Sequence, residues 1–463
     1  MHFQNQPTSA LQTAGMSKPV RPALLPGRYA SRVPFSLKPV CRPAARLARL
    51  AVFLCLLFSR QSSPAYSVLT HEQIVDLLWK SQIRPILVAR YPGATGDQIL
   101  AAHAYAYGGC LIQDIGYYPF GNHFFSDLTH YVRSGDLVSN LLAQAQDINE
   151  YAFALGALAH YASDIAGHPA INTAVADYFP KLRAKYGDSV TYADNPTAHI
   201  RSEFGFDVVQ VAQNRFTSQA FHDFIGFEVA KPLLERSFLA TYGLPLESVF
   251  PDLDLAIGTF RFSVSRVIPQ MTRVALVMKK DEIVKEDPTM TKKRFLYRLK
   301  ESQYRREWGK SYRRPSFGDR VLAFFIRILP KIGPLKTLDF KMPTPATENL
   351  YMQSVNNSAA EYGRDLSQAQ RKSLQLDNRD FDTGRETRAG EYSLTDSTYG
   401  ELLDKLAATH FAQVTPELQA NILAFYRDSP PPQFAAKHPA QWARTLAGLA
   451  QLKSVRLPAE AAK

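Results

Sequence analysis

Seven of the chain's eleven histidines lie within residues 71–199, close to carboxylates at spacings that suit metal binding. His160 lies four residues before Asp164, and His199 lies four residues before Glu203. Residues four apart share one face of an α-helix, so each pair can approach one ion together. Imidazole nitrogen and carboxylate oxygen form a ligand set that suits zinc. A further histidine lies between the two pairs, and the pattern therefore indicates a site for more than one metal ion.

A single pair of this kind is weak evidence, because a His-x3-Asp or His-x3-Glu pair is usually an ion pair on the surface of a helix. Two pairs in one segment, with His168 between them, are hard to obtain by chance. Further candidates precede them, namely His71, Asp114 and either His123 or His130. The sequence therefore favours metal binding over a set of separate surface pairs.

The segment that carries these side chains has the pattern of helices. Residues 137–160 are strongly apolar, and Gly156 with its alanine neighbours would let another helix approach closely. Gly167 and Pro169 are expected to end this helix. His168 would then leave the helix face in an extended conformation and serve a different ion.

Residues 194–197 are predicted to form a turn and the start of a second helix, which would carry His199 and Glu203. From residue 71 to about residue 280, no alternation of apolar and polar residues competes with the helical pattern. The predicted fold class is therefore all-α, a multi-helix domain followed by a C-terminal helical extension.

The size and charge of the chain set broader bounds. Its 463 residues allow two or three domains, or one large domain with extensions. A hydrophobic content of 46% is ample for a buried core. The formal net charge of +12 favours acidic partners such as phosphate headgroups or nucleic acid, and a generally basic surface is an equal alternative. Only Cys110 follows the first 65 residues, so we expect no intrachain disulfide.

Residues 1–65 are predicted to be a signal peptide or leader for export. Residues 17–49 are rich in Lys and Arg and lack acids, and the apolar run at 50–58 is too short to span a bilayer. Small residues are spaced like a cleavage site after Ala65, so the mature chain would begin at Tyr66. The protein is thus expected to be secreted or periplasmic and able to associate with membranes. The alternative is an uncleaved anchor at the membrane surface.

The C-terminal part of the chain changes character twice. Residues 286–345 are basic and aromatic, with fourteen Lys or Arg and three acidic residues between Lys292 and Lys336. This composition favours an anionic membrane surface, with a solvated basic face and a nucleic-acid site as alternatives. Residues 346–463 are predicted to be a polar linker and C-terminal helices, and residues 380–384 within them a simple turn.

The order of the candidate ligands resembles that of the zinc-dependent phospholipases C, the related nucleases of the S1/P1 type and the N-terminal domain of the GPI-specific phospholipase D. The resemblance covers about residues 66–210 and the helices up to about residue 280. It implies an all-α fold with three zinc ions at the floor of a cleft, and residues 66–285 are expected to form such a domain. The resemblance rests on His71, Asp114, His130, His160-x3-Asp164-x3-His168 and His199-x3-Glu203.

The resemblance also implies how the ions are held. The family's spacing favours His130 over His123 as a ligand, with His123 then a loop histidine near the cleft. Cleavage after Ala65 would place Tyr66 five residues before His71, so the export and metal predictions support each other. The implied ligand sets are Asp114, His130, His160 and Asp164; His168, His199 and Glu203; and His71, a second oxygen of Asp164, and the amino group and carbonyl of Tyr66.

The activity that the resemblance implies is hydrolysis of a phosphodiester, with a phospholipid headgroup as the substrate. Up to three Zn2+ ions would be the cofactors, and a phospholipid membrane surface would be the partner. Asp114 would orient or deprotonate the attacking water. Two alternatives stay open: a single-strand nuclease of the S1/P1 type, with nucleic acid as partner, and a non-catalytic, zinc-stabilised, membrane-associated binding protein.

Overall fold

The described part of the chain is mainly helical. The described residues form fourteen α-helices and no β-strand, so the prediction of an all-α fold is confirmed for them. In the described part of the chain, no helix is long and apolar enough to cross a membrane. The computed structural model describes residues 68–212, 227–264, 340–427, 435–436 and 438–456. It also describes a few residues between 265 and 279.

Several predictions fall outside the described residues. They concern the leader at 1–65, the first mature residue Tyr66, and all but the last few residues of the basic segment 286–345. These three stay predictions.

The helices are numbered in chain order. Helices α1 to α5 are Val68–Leu78, Arg84–Arg90, Gly96–Gly109, His123–Tyr131 and Ser134–Gln144. Helices α6 to α10 are Ile148–Tyr178, Pro180–Tyr186, Pro196–Ala212, Lys231–Tyr242 and Leu253–Phe262. Helices α11 to α14 are Pro345–Gln370, Ser393–Ala408, Pro416–Arg427 and Pro439–Ser454. A π-helical turn at Trp79–Ile83 and 3-10 helices at Ile112–Tyr117 and Leu246–Ser248 lie between them.

The longest described helix, α6, is buried over most of its length. Asp147 caps its start, where the carboxylate accepts hydrogen bonds from the backbone N–H groups of Asn149 and Glu150, both at 2.9 Å. Helix α3 packs along one side of α6, and α11 packs along another. Polar side chains on an enclosed helix need partners, because an unpaired buried polar group costs free energy.

Helices α3 and α6 meet backbone to backbone. A Cβ atom at Gly156 would lie 2.0 Å from the carbonyl oxygen of Ala106, and one at Gly109 would lie 1.9 Å from that of Phe153. The close approach predicted from the small residues around Gly156 is therefore confirmed. This contact fixes the position of α6 relative to α3. The histidines of α6 therefore lie against the residues that follow α3.

Helix α6 continues past Pro169, so the prediction that Gly167 and Pro169 end it is wrong. A proline lacks the N–H that would bind the carbonyl four residues earlier, here that of Ile165. Gly384, which has a φ of +70°, packs against this carbonyl oxygen. A Cβ atom at Gly384 would lie only 2.6 Å from the oxygen. Tertiary packing thus retains the helix, and His168 stays on the helix face.

Residues 345–370 form the helix α11 where the sequence suggested a polar linker from residue 346. Its polar side chains bind backbone groups of α6. The hydroxyl of Tyr362 donates to the carbonyl of Leu155 at 2.9 Å, and that of Ser358 donates to the carbonyl of Ser163 at 3.3 Å. The hydroxyls satisfy carbonyl lone pairs inside the fold, which explains how so polar a segment is packed there.

Candidate metal centre

Three candidate ligands share one face of α6. His160, Asp164 and His168 follow one another at intervals of four residues, and their exposed fractions are 0%, 0% and 1%. The two oxygens of Asp164 face different partners: Oδ2 lies 3.1 Å from Nε2 of His160, and Oδ1 lies 3.3 Å from Nε2 of His71. Oδ2 also lies 3.5 Å from Nε2 of His168. Asp164 therefore occupies the middle of the cluster, where it can bridge two ions.

Asp114 and His130 approach His160 from two other elements. Asp114 lies in the 3-10 helix that follows α3, and His130 lies near the end of α4. Oδ1 of Asp114 is 3.3 Å from Nε2 of His130 and 4.0 Å from Nε2 of His160. One ligand atom from each of the three residues lies within 4.8 Å of the others, so the group could hold one ion.

His123 lies apart from this group. It is the first residue of α4, it is exposed, and its ring centroid lies 5.4 Å from that of Tyr117. His130 lies two helical turns after His123 on α4, on the side that faces Asp114. Of the two histidines that the sequence left open, the structure brings His130 to the cluster.

Helix α8 supplies the second histidine–carboxylate pair. Asn195 caps its start by accepting a hydrogen bond from the N–H of Ala198 at 2.9 Å, so the helix start predicted there is confirmed. Nε2 of His199 lies 2.7 Å from Oε1 of Glu203, and both residues are buried. Ligand atoms of His168, His199 and Glu203 lie within 4.8 Å of one another, which makes a second group that could hold an ion.

His71 brings α1 to the cluster. Its ring stacks on that of His160, with centroids 4.3 Å apart and planes 12° apart. His71, His160 and Asp164 form a third group whose ligand atoms lie within 4.8 Å of one another. Tyr66 lies outside the described residues, so its contribution to this site stays a prediction.

The distances across the cluster fit ligands arranged around small ions. Two ligands that each lie about 2.0 Å from a tetrahedral zinc ion are about 3.3 Å apart. The imidazole–carboxylate distances run from 2.7 to 4.0 Å, and four of them lie between 3.1 and 3.5 Å. The residues present therefore fit zinc in chemistry and in spacing.

Outer hydrogen bonds determine which ring nitrogen faces the cluster. Nδ1 of His130 lies 2.8 Å from the carbonyl oxygen of Ser126, and Nδ1 of His160 lies 2.9 Å from that of Cys110. A carbonyl only accepts, so Nδ1 of each ring carries a proton and Nε2 faces the cluster. The two Nε2 atoms lie 3.4 Å apart. Two lone pairs at this distance would repel, so a proton or a metal cation must lie between them. Burial lowers the pKa of His160, but the charges of Asp164 and Asp114 outweigh it and raise the pKa to about 9, so a proton takes this place when no cation is bound.

Burial makes the ionised cluster costly in the absence of a cation. It raises the pKa of Glu203 well above its usual value, and it raises that of Asp114. Burial, with repulsion from His168, lowers the pKa of His199 to about 3. Burial acts upward on Asp164 as well, but the surrounding imidazoles outweigh it and lower the pKa. A divalent ion would stabilise the deprotonated form of every one of these groups.

One buried carboxylate beside the cluster escaped the sequence analysis. Oδ1 of Asp382 lies 2.8 Å from Nδ1 of His168, and 1% of this aspartate is exposed. Residues 380–384 do form a turn, as the sequence predicted. Their composition predicts a turn, but it does not predict which residues the turn packs against.

A comparison with known families followed these observations. The sequence profile described as zinc dependent phospholipase C matches residues 70–251, a range that includes all eight described candidate ligands and less than half of the chain. Neither a search of curated proteins nor a search of solved structures gave a significant match. The family match supports a phospholipase C-like hydrolase function and the use of zinc. The part of the chain that carries the candidate metal centre therefore matches the zinc-dependent phospholipase C family.

Proposed function

We propose that this protein is a zinc-dependent phosphodiester hydrolase that cleaves the headgroup from phospholipids. The observation that carries the proposal is the convergence of buried imidazole and carboxylate atoms into three groups, each with its ligand atoms within 4.8 Å. His160 belongs to two of these groups, so those two groups are adjacent. Neighbouring metal ions are the arrangement that clamps the attacking and leaving oxygens in phosphoester hydrolysis.

Up to three zinc ions are proposed. Zinc bound in this cluster would lower the pKa of a water molecule toward neutrality and neutralise charge that develops on phosphoryl oxygens. Asp164 would bridge two ions, since its two oxygens face His160 and His71. The proposed ligand sets are those implied by the sequence: Asp114, His130, His160 and Asp164; His168, His199 and Glu203; and His71, Asp164 and Tyr66.

Asp114 is the proposed group that orients the attacking water and accepts its proton. Its side chain is buried, and burial raises its pKa. A carboxylate whose pKa is raised toward the working pH is a better proton acceptor. Asp114 also lies 3.3 Å from His130, within the group of candidate ligands where such a water would bind.

A lipid substrate requires contact with a membrane surface. Phe120 and Phe262 are large apolar residues with 58% and 44% of their surfaces exposed. A hydrogen bond at 2.6 Å from the hydroxyl of Thr259 to the carbonyl of Pro119 joins the loop of Phe120 to α10, the helix of Phe262. We propose that these side chains enter the membrane interface. The basic and aromatic composition of residues 286–345 supports the same contact.

The proposed location is outside the cytoplasm, in the periplasm or the medium. The pattern of residues 1–65 supports export. Cleavage after Ala65 would also release the amino group of Tyr66 five residues before His71, where the third zinc ion is proposed.

Elemental analysis and activity assays of the mature protein test the proposal. We expect up to three zinc ions per chain, one for each ligand group, and release of a phosphomonoester from phosphatidylcholine vesicles. A chelator should abolish the release and added Zn2+ should restore it. Preferential cleavage of single-stranded DNA would identify a nuclease, and zinc without turnover of either substrate would identify a binding protein. A protein that contains no zinc would refute the proposal.

A further inference from the structure

We propose that Asp382 is a positioning residue of the metal centre, which orients the ring of His168. The functional unit would then extend from the family domain at 70–251 to the turn at 380–384. This inference rests on the proposed zinc site and adds to it a residue that lies outside the family match.

The two side-chain oxygens of Asp382 have different partners. Oδ1 lies 2.8 Å from Nδ1 of His168. Oδ2 accepts hydrogen bonds from the hydroxyl of Tyr131, at 3.1 Å, and from the hydroxyl of Tyr392. Among the described residues, no Lys or Arg forms an ion pair with this buried carboxylate. Its nearest partner that can carry positive charge is therefore an imidazole of the predicted ligand set.

The turn is held against the candidate ligands from two helices. The side-chain amide of Asn172 on α6 donates to the carbonyl of Asp382 at 2.8 Å. The N–H of Phe381 donates to the carbonyl of His130 on α4 at 3.1 Å. The ring of Phe381 covers those of His130 and His160, with centroids 5.2 and 5.8 Å away. The position of Asp382 is thus coupled to the positions of three candidate ligands, including His168.

A carboxylate at Nδ1 has two effects on an imidazole ligand. It keeps the proton on Nδ1, so that Nε2 presents its lone pair, and its charge makes Nε2 more basic. Nε2 of His168 faces the cluster, 3.5 Å from Oδ2 of Asp164 and near the ligand atoms of His199 and Glu203. Loss of such an outer partner typically weakens metal binding by about 10–100-fold.

Asp380 provides a matched control within the same turn. It is also buried, with 1% of its surface exposed. Its carboxylate accepts hydrogen bonds from the N–H and the hydroxyl of Thr383, and so stabilises the turn itself. An effect of the turn's stability on zinc binding can therefore be separated from an effect of the carboxylate at His168.

The experiment compares Asp382→Ala with Asp380→Ala in the full mature chain, by chelator competition for zinc and by the visible absorption of the Co2+-substituted protein. For Asp382→Ala we expect about 10–100-fold weaker binding of one ion per chain and an altered Co2+ spectrum. Asp380→Ala should lower thermal stability and leave both metal readouts near the wild-type values. Asp382→Asn keeps an acceptor at Nδ1 but loses the charge, so its zinc affinity should lie between those of Asp382→Ala and wild type.

Unchanged zinc affinity with an unchanged Co2+ spectrum in Asp382→Ala would overturn the inference. Equal losses in Asp382→Ala and Asp380→Ala would overturn it too, because the effect would then belong to the turn as a whole. If the wild-type protein binds zinc but cleaves no phospholipid, the proposed function fails and the metal readouts still decide the role of Asp382. If the wild-type protein binds no zinc, both proposals fail.

Discussion

At the scale of single residues, the centre depends on side chains that serve several neighbours at once. His160 belongs to two of the three candidate groups. Asp164 lies within 3.6 Å of four imidazoles, those of His71, His130, His160 and His168. Shared ligands couple the proposed ions, so the loss of one side chain should affect more than one of them.

His160→Ala is therefore expected to reduce zinc content by more than one ion per chain. Phospholipase activity should fall by more than about 100-fold, beyond the loss typical for an outer partner of a metal ligand. His123→Ala is the control, since this histidine is exposed and lies apart from the groups, and its zinc content and activity should stay near wild type. Elemental analysis and initial rates measure both. Full zinc content in His160→Ala would show that the ligands are not shared.

Local spacing alone could predict which residues of this kind come together only where it is regular, whereas the grouping of His71, Asp114 and His130 with them came from the family resemblance. His160, Asp164 and His168 repeat at the interval of a helical turn, which any helix converts into one face. The spacing seen in the resembled family favoured His130 over His123, and the direction of α4, which local spacing does not give, brings His130 to Asp114. Asp382 is farther still from any local pattern, because its contact with His168 joins two segments distant in the chain.

At the scale of helices, the position of α6 is set by the backbone contact with α3. A Cβ atom at Gly156 would overlap a carbonyl oxygen at 2.0 Å, whereas one at Gly258 on α10 would meet no atom within 4 Å. Both glycines lie inside helices. Their substitution thus separates the cost of close packing from the benefit of helix propensity.

Gly156→Ala should lower the free energy of unfolding by about 1–3 kcal/mol, the usual cost of overpacking a core. Gly258→Ala should raise it by about 0.5–1 kcal/mol, because alanine favours a helix more than glycine does. Denaturant unfolding followed by circular dichroism measures both changes. A stabilised Gly156→Ala protein would mean that α3 and α6 are not in contact at this point.

Local rules also explain why the helix end at Gly167 and Pro169 was predicted incorrectly. Proline usually disrupts a helix because it lacks an N–H and crowds the preceding turn. At Pro169 the freed carbonyl of Ile165 is covered by Gly384, a residue on a turn that the chain reaches much later. The rule failed because a distant segment compensates for the local defect.

At the scale of the whole molecule, the proposed membrane contact includes the loop that follows the 3-10 helix of Asp114. Phe120 closes the short loop between the 3-10 helix of Asp114 and α4, and it has a left-handed backbone conformation with a φ of 64°. Such a conformation is unfavourable for a bulky residue and is more common where a function requires it. An exposed, strained phenylalanine six residues after Asp114 supports the proposed contact with lipid.

Phe120→Ser should weaken binding to phosphatidylcholine vesicles by roughly tenfold, since burial of a phenylalanine side chain contributes about 1.5–3 kcal/mol. Leu100→Ser on α3 removes a side chain of similar exposure, 48%, and should leave vesicle binding near wild type. Co-sedimentation with vesicles measures the bound fraction. Equal binding by Phe120→Ser and wild type would contradict the proposed contact surface.

His71 and Asp382 are 311 residues apart in the sequence, yet both reach the same cluster on α6. A nascent polypeptide that has left the ribosome only through α8 carries every described candidate ligand but lacks the carboxylate beside His168. If Asp382 positions His168 as proposed, the full affinity for the ion at His168 would be reached only after synthesis of the C-terminal third.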